Sequence, residues 1–130
     1  MNATLQKKLF ETFVELIRKT SVDLPEDVIE VIEEGRAREA ENSRGKYAMG
    51  IIEKNIGLAR VKSQPLCQDT GSILLYLHYP KKMDAEIIGK LFRKAVVAAT
   101  KKGYLRQNSV DSLTGKNNGT NVGPGTPTLH

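Results

Sequence analysis

The sequence has few of the residues that build covalent cross-links or stacking surfaces: one cysteine, no tryptophan and 5% aromatic residues in 130. A single cysteine excludes an internal disulfide and a zinc site made from this chain's thiols alone. Few aromatic rings disfavour a stacking platform for single-stranded nucleic acid. The most apolar run, residues 73–77, is far too short to cross a bilayer, and the polar residues 1–8 do not resemble a secretory signal. We therefore expect a cytoplasmic protein that does not bind membranes.

The charge is moderately basic and unevenly distributed. The chain carries 20 Lys and Arg against 15 Asp and Glu, a net charge of +5, and beyond Arg106 the only acid is Asp111. A cationic C-terminal half concentrates anionic ligands without identifying them. The bases occur as pairs such as Lys101 and Lys102, which is typical of solvated helix faces, whereas a nucleic-acid arm has a dense run. We expect no nucleic-acid partner, although a small basic nucleic-acid-binding module stays open as an alternative.

Hydrophobic periodicity predicts three helices in the first half of the chain. The first covers residues 5–20, the second begins at Pro25, and the third follows the turn at 42–45 and ends before Pro65. Gly35 either ends the second helix or only weakens it. The apolar residues expected on the buried faces of the second and third helices are Val28, Ile29, Val31, Ile32, Ala48, Ile51, Ile52, Ile56 and Ala59.

The second half alternates strand and helix patterns. Residues 73–77 are continuously apolar, which predicts a strand covered on both faces. Asp84 is expected to cap a helix over residues 85–102, with Gly103 just beyond its end. Residues 126–130 indicate the start of another strand, cut before its partner. The predicted fold class is α/β (α+β), with several helices packed around a small sheet that we expect to be incomplete.

Residues 106–130 are rich in glycine and asparagine, and such a segment is either disordered or a functional loop. Leu105, Val110 and Leu113 are spaced as hydrophobic anchors, and Asn118 followed by Gly119 is a turn signal. Both features favour order.

The densest chemistry lies in residues 65–71 (PLCQDTG), between the third helix and the strand. Cys67 has three interpretations: a small buried hydrophobe, a nucleophilic thiolate that would need a nearby base, or a metal or cluster ligand whose other thiolates come from elsewhere. Further along, Arg106 follows the fourth helix on a short tether, so its guanidinium is either an anion grip or a surface group at a helix end. The spacing around Lys116 does not match a phosphate-binding loop.

Four segments, taken in order, resemble a known family. They are residues 65–71 (PLCQDTG), 104–111 (YLRQNSVD), 113–117 (LTGKN) and 121–127 (NVGPGTP). Together they resemble the N-terminal part of the α subunit or α region of the iron–sulfur hydro-lyases, the class I fumarate hydratases and L-tartrate dehydratases. The resemblance covers nearly the whole chain, although residues before Lys46 match only in helical character.

The resemblance implies an enzyme that adds or removes water across the C2–C3 bond of a small dicarboxylate with a [4Fe–4S] cluster. In that family three cysteines hold the cluster and one iron stays open to the substrate. Cys67 would be the first ligand. Asp69 would be catalytic, as a proton donor or acceptor. Gln68, Arg106 and Asn108 would bind the substrate, with Arg106 on one carboxylate. Malate and fumarate are the expected pair, then tartrate and oxaloacetate. Thr120 stands where many fumarases have an acid, which leaves the preference between the two pairs open.

The resemblance also implies that the complete enzyme contains sequence that this chain lacks. Residues 1–130 would be the N-terminal part of the α domain: a helical portion over 1–63, then the cluster-ligand motif, strand, helix and loop over 64–130. The two further cysteines would follow His130, and a β subunit or domain would add other groups. We therefore expect this chain alone to be inert and its exposed apolar surface to favour a homo-oligomer. A non-catalytic helical adaptor with a buried Cys67 is the other alternative.

Overall fold

The computed structural model describes residues 1–67 and 71–130. The elements in chain order are α1 (Ala3–Val22), α2 (Glu26–Arg38), α3 (Arg44–Lys62), β1 (Leu74–Leu75), α4 (Ala85–Lys101) and β2 (Thr128–Leu129). The mixed and mostly helical fold class predicted from the sequence is confirmed. Within the described ranges, no helix has both the length and the apolar character that crossing a bilayer requires.

The core lies between α1 and α4, the two helices with the strongest apolar stripes. Phe13, Val14 and Ile17 of α1 pack in one cluster with apolar residues of α4. The buried members from α4 are Ile88, Phe92, Ala95, Val96 and Ala99. As predicted, Asp84 caps α4, since its carboxylate accepts hydrogen bonds from the amides of Glu86 and Ile87 at 2.8 and 3.3 Å. The helix is thereby fixed at its start, and its end leads directly into the loop that follows.

Helices α2 and α3 form a separate hairpin whose outer surfaces are more exposed than the sequence predicts. None of the residues of α2 is buried, and Val31 is 68% exposed. The prediction that Val28 and Val31 lie on the buried side of α2 is therefore wrong, whereas Ile29 and Ile32 are half-buried. Gly35 does not end α2: a Cβ there would lie 3.1 Å from the Met49 methyl of α3, so its lack of a side chain permits close helix packing. An ion pair between Arg36 and Glu53 joins the two helices.

The outer face of α3 carries an exposed apolar stripe. Tyr47, Ile51, Leu58 and Val61 follow a spacing of four, seven and three residues, so they lie on one side of the helix. Their exposed fractions are 74, 50, 55 and 83%. Only Ile56 and Ala59 of α3 are buried, so the predicted burial of Ala48, Ile51 and Ile52 is wrong. We call these four residues the α3 stripe.

Among the residues that the structure describes, the sheet is one parallel pair of strands. Leu74 of β1 aligns with Thr128 of β2, and backbone hydrogen bonds extend the pairing to Ile73, Leu77 and His130. The prediction that the last strand is cut before its partner is therefore wrong: its partner is β1, and α4 lies in the crossover that parallel strands require. Leu75 is 7% exposed but Leu74 is 50% exposed, so the prediction of a strand covered on both faces is also wrong.

The loop after α4 is ordered through its own hydrogen bonds, with its polar side chains bonded to nearby backbone. The predicted anchors have mixed outcomes. Leu105 is buried in the core, as expected, whereas Val110 and Leu113 are 58 and 94% exposed. Hydrogen bonds, and not apolar anchoring at Val110 or Leu113, hold the segment in place.

Candidate functional site

The end of the PLCQDTG motif and the glycine-rich loop meet at one edge of the sheet. Gly71 has a left-handed backbone (φ 65°), which turns the chain into β1. Because β1 and β2 are parallel, the residues that precede each strand lie at the same edge. A cavity of about 280 Å³ opens there. It is lined by Gly71, Ser72, Ile73, Leu74, Ser109, Val110, Ser112, Pro124, Gly125, Thr126 and Thr128.

A second cavity of about 210 Å³ lies beside the first and shares part of its wall. The shared residues are Ser109, Val110, Pro124 and Thr126. The second cavity adds one anionic and one cationic side chain, Asp111 and Lys116. The two adjoining cavities therefore bring together residues of all four family-like segments, although the first segment is distant in sequence from the other three. We call this pair of cavities the sheet-edge cleft.

Asp111 organises one wall of the cleft. Its carboxylate accepts hydrogen bonds from the Thr114 amide at 2.7 Å, the Thr114 hydroxyl at 2.9 Å and the Leu113 amide at 3.0 Å. These donors, first those of Thr114 and then that of Leu113, hold the pKa of the Asp111 carboxyl below its ordinary value of 3.8. The carboxylate therefore stays charged as the capping group of the turn that ends at Gly115.

A second turn closes the loop. The Asn118 side chain accepts from the Thr120 amide at 3.0 Å and donates to the Val122 carbonyl at 2.7 Å. Gly119 has φ 70°, as the turn signal predicts. The Thr120 hydroxyl donates to Asn118 Oδ1 at 2.7 Å. An ionised carboxylate at position 120 has no proton to donate to Asn118 Oδ1, so this hydrogen bond would be lost.

Asn121 is the residue of this region that the sequence analysis missed as an individual. It is fully buried, with 0% exposure, and links α4 to the segment of residues 106–109 through its side chain. Its polarity and its place in a glycine-rich loop predict a surface turn, because asparagine is seldom buried. The left-handed backbone at Asn121 (φ 57°) is the one property that its residue type favours.

Cys67 is exposed, immediately after a segment tied to the helical part of the chain. The Leu66 amide donates to the Ser21 carbonyl of α1 at 3.0 Å, and Asn55 Nδ2 of α3 donates to the Leu66 carbonyl at 2.8 Å. This exposure disagrees with the interpretation of Cys67 as a small buried hydrophobe. These two hydrogen bonds hold the backbone next to Cys67, so its exposed thiol could bind a metal from a defined position.

The donor set in this chain is incomplete for a metal cluster. Cys67 is the only cysteine of the sequence, and in the described residues no three His, Cys, Asp or Glu side chains are grouped to hold a metal ion. Cys67 therefore fits as a single ligand, and any cluster would need thiolates from other sequence.

The other predicted site residues lie in two places. Arg106 and Asn108 are exposed and precede Ser109, which lines both cavities of the sheet-edge cleft. The carbonyls of Arg106 and Gln107 accept hydrogen bonds from Asn121 and Asn117, so the backbone beside them is held from the loop. Gln68 and Asp69 lie outside the described residues.

Comparison with known proteins gives a consistent result. Residues 10–130 match the family model described as Fumarate hydratase (Fumerase). A protein of Geobacillus stearothermophilus, assigned as a class I fumarate hydratase, is 40% identical over 123 residues, which are 95% of this chain and 24% of that protein. A Methanocaldococcus jannaschii protein, assigned as an L(+)-tartrate dehydratase subunit alpha, is 35% identical over 126 residues, 95% of this chain and 44% of that protein.

The Escherichia coli K12 L(+)-tartrate dehydratase subunit alpha is 30% identical over 123 residues, covering 92% of this chain and 40% of that subunit. The chain thus spans less than half the length of each of these relatives.

Proposed function

The chain belongs to the fumarate hydratase family, and from this membership we propose that it is the N-terminal part of the α region of an iron–sulfur hydro-lyase. The proposed reaction interconverts a hydroxy-dicarboxylate with an unsaturated dicarboxylate and water. Malate and fumarate are the proposed pair, and tartrate with oxaloacetate comes next, since the relatives include proteins with both names.

The observation that carries the proposal is the sheet-edge cleft. The residue that ends the PLCQDTG motif, Gly71, lines it together with Ser109 and Ser112 from the segment that follows Arg106. A hydro-lyase site must hold both carboxylates of its substrate so that the bond that breaks is oriented. Convergence of the motif and the arginine-bearing segment at one cleft supports such a site.

Cys67 is the proposed cluster ligand of this chain. It is exposed, and the residue before it is held to α1 and α3 by two hydrogen bonds. When bound, a [4Fe–4S] cluster with one open iron would supply a Lewis acid for the substrate hydroxyl. Because the chain contributes a single thiolate, we propose that it is inactive without the sequence that supplies the other ligands.

The remaining proposed roles use this chain's polar side chains. The Arg106 guanidinium would donate two parallel N–H bonds to one substrate carboxylate, and Asn108 would hydrogen-bond the substrate from the same segment. Gln68 would hydrogen-bond a substrate carboxylate. Asp69 would hold or accept the proton that moves during hydration. The surplus of bases beyond residue 80 suits a dianionic ligand.

Partners follow from the same assignment. Two relatives are named as alpha subunits, so we propose that this chain works with the rest of an α region and with a β subunit or domain. We further propose a cytoplasmic location and self-association of the isolated chain. The exposed apolar residues of the α3 stripe support the latter, because exposed apolar side chains favour contact with another protein surface.

The test is an anaerobic assay of the complete enzyme, meaning this chain together with its accompanying α and β sequence, after iron and sulfide reconstitution. We expect hydration of fumarate and dehydration of malate, each reduced by Arg106→Ala mainly through a higher KM. Arg38→Ala, which removes an exposed arginine that pairs with Glu34 on α2, is the matched control and leaves KM unchanged. Activity of the isolated chain, or a complete enzyme indifferent to Arg106→Ala, contradicts the proposal.

A further inference from the structure

We propose that Asn121 is a positioning residue that fixes the backbone of residues 106–109 and so sets where Arg106 and Asn108 meet the substrate. The inference rests on the proposed function, because it concerns how the dicarboxylate site is held in shape. Asn121 does not touch the substrate in this proposal, and its effect passes entirely through the segment to which it is bonded.

The hydrogen bonds of the Asn121 amide join three parts of the chain. Nδ2 donates to the Arg106 carbonyl at 2.6 Å and to the Thr100 hydroxyl at 3.2 Å, and Oδ1 accepts from the Ser109 amide at 3.2 Å. Both protons of the amide nitrogen are therefore used, and the oxygen is bonded as well. One side chain thus holds the two ends of the short segment that carries Arg106 and Asn108.

The orientation of the amide is determined by its partners. The single hydroxyl proton of Thr100 is directed at the Val96 carbonyl at 2.8 Å and the Thr120 carbonyl at 3.3 Å, so its oxygen is left to accept from Asn121. With the amide turned over, Oδ1 would face the carbonyl oxygen of Arg106 without a proton between them. The network is consistent in one orientation only.

Burial makes this network sensitive to substitution. Asn121 is 0% exposed and Thr100 is 2% exposed, so neither can exchange a lost partner for bulk water. Asn121 also has a left-handed backbone (φ 57°), which asparagine and glycine adopt more readily than most residues. Few other residue types adopt this backbone conformation and also carry a side chain that donates two hydrogen bonds and accepts one.

The consequence for binding follows from the short distance along the chain. The bonded carbonyl belongs to Arg106 itself, and the bonded amide belongs to the residue after Asn108. A guanidinium that holds a carboxylate in two parallel bonds depends on its position, and hydrogen bonds to charged groups are among the stronger ones in proteins. Loosening the segment should therefore weaken substrate binding before it alters the chemical step.

The experiment measures kcat and KM for malate in the complete reconstituted enzyme and compares two substitutions of Asn121. Asn121→Gly keeps the freedom to adopt positive φ but removes all three bonds. Asn121→Asp keeps the acceptor and removes the donors. We expect KM to rise roughly 10-fold to 100-fold in both, the change expected when a hydrogen bond to a charged group is lost, with kcat changed by only about a few fold.

The matched controls are the same two substitutions at Asn42. This asparagine also has positive φ (62°), is exposed and lies in the turn between α2 and α3. Both Asn42 variants should leave KM unchanged. A second readout, hydrogen exchange, should show lost protection of the Ser109 amide in Asn121→Gly and none in Asn42→Gly.

Thr100 provides an independent variant should Asn121→Gly fail to fold. Thr100→Val removes the hydroxyl at nearly constant volume and should raise KM in the same direction, whereas Thr100→Ser keeps the hydroxyl and restores binding. An unchanged KM in the folded Asn121 variants, or in Thr100→Val, overturns the inference if Arg106→Ala raises KM in the same assay. If Arg106→Ala itself leaves KM unchanged, the proposed carboxylate role of Arg106 fails, and this inference fails with it.

Discussion

The rings of Phe13 and Phe92 meet edge to face, with centroids 5.3 Å apart and an interplanar angle of 78°. This contact joins α1 to α4 at the centre of the core, where both side chains are almost fully buried. Helix α4 ends next to the segment that carries Arg106. The packing of two phenylalanines therefore supports the orientation of the helix from which the candidate site is built.

Removing one of these rings should destabilise the chain strongly. Phe92→Ala is expected to lower the free energy of unfolding by about 3–5 kcal/mol, because it loses buried apolar area and leaves a cavity. Denaturant unfolding followed by circular dichroism measures the change. Leu16→Ala on α1 is the control, since Leu16 is 46% exposed, and it should cost much less. Equal losses in the two variants would contradict the assignment of this contact to the core.

The cap of α4 offers a smaller and more local test. Asp84→Ala removes the acceptor of the Glu86 and Ile87 amides and should cost about 1 kcal/mol. Asp84→Asn keeps a side-chain oxygen at the cap and should retain most of that stability. Thermal and denaturant unfolding distinguish the two variants, and a neutral Asp84→Ala would show that the cap does not contribute.

The turn at Asp111 should depend on pH in a defined direction. Its hydrogen bonds lower the folded-state pKa below the unfolded value, so its contribution to stability is complete above the unfolded pKa and is lost as pH falls through the folded pKa. An NMR titration of the Asp111 carboxyl carbon measures this directly. Thr114→Ala should raise the pKa toward its ordinary value, and Thr114→Ser should not. A pKa unchanged by Thr114→Ala would exclude its hydroxyl as a cause.

Cys67→Ser should separate the roles of cluster ligand and structural residue. Because Cys67 is exposed, the change should alter the stability of the isolated chain by no more than about 0.5 kcal/mol. In the complete enzyme the same change should abolish bound iron and activity, as measured by iron content, visible absorbance and malate turnover. Retention of the full iron content in the Cys67→Ser enzyme would remove this thiol from the set of ligands.

The α3 stripe should drive association of the isolated chain. Leu58→Lys and Val61→Lys place charges at residues that are 55 and 83% exposed, so they should reduce association without unfolding the hairpin. Light scattering after size exclusion, over a range of concentrations, measures the mass. Glu30→Lys, on the exposed outer side of α2, is the charge control and should leave the mass unchanged. A monomer at every concentration in the unmodified chain would refute self-association.

Local sequence patterns were sufficient to locate the helices but not to predict which helix faces other elements cover. Helix α4 lies where its apolar period, the cap at Asp84 and Gly103 place it, because these are interactions among near neighbours in the chain. Periodicity also finds α2, but it does not reveal that Val31 stays largely exposed. A hydrophobic stripe shows which side of a helix is apolar, and only its neighbours decide whether that side is covered.

The candidate site likewise combines features that can be read from the sequence with features that depend on the fold. The chemical groups can be read from the sequence: one thiol in a PLCQDTG motif, an arginine after a predicted capped helix, and a polar loop that resembles a family of hydro-lyases. The long-range contacts of the folded chain place Gly71 and Ser109 on one cleft, pair β2 with β1, and bury the Asn121 side chain with three hydrogen bonds. These outcomes depend on contacts between residues far apart in the chain, whose energies no local pattern encodes.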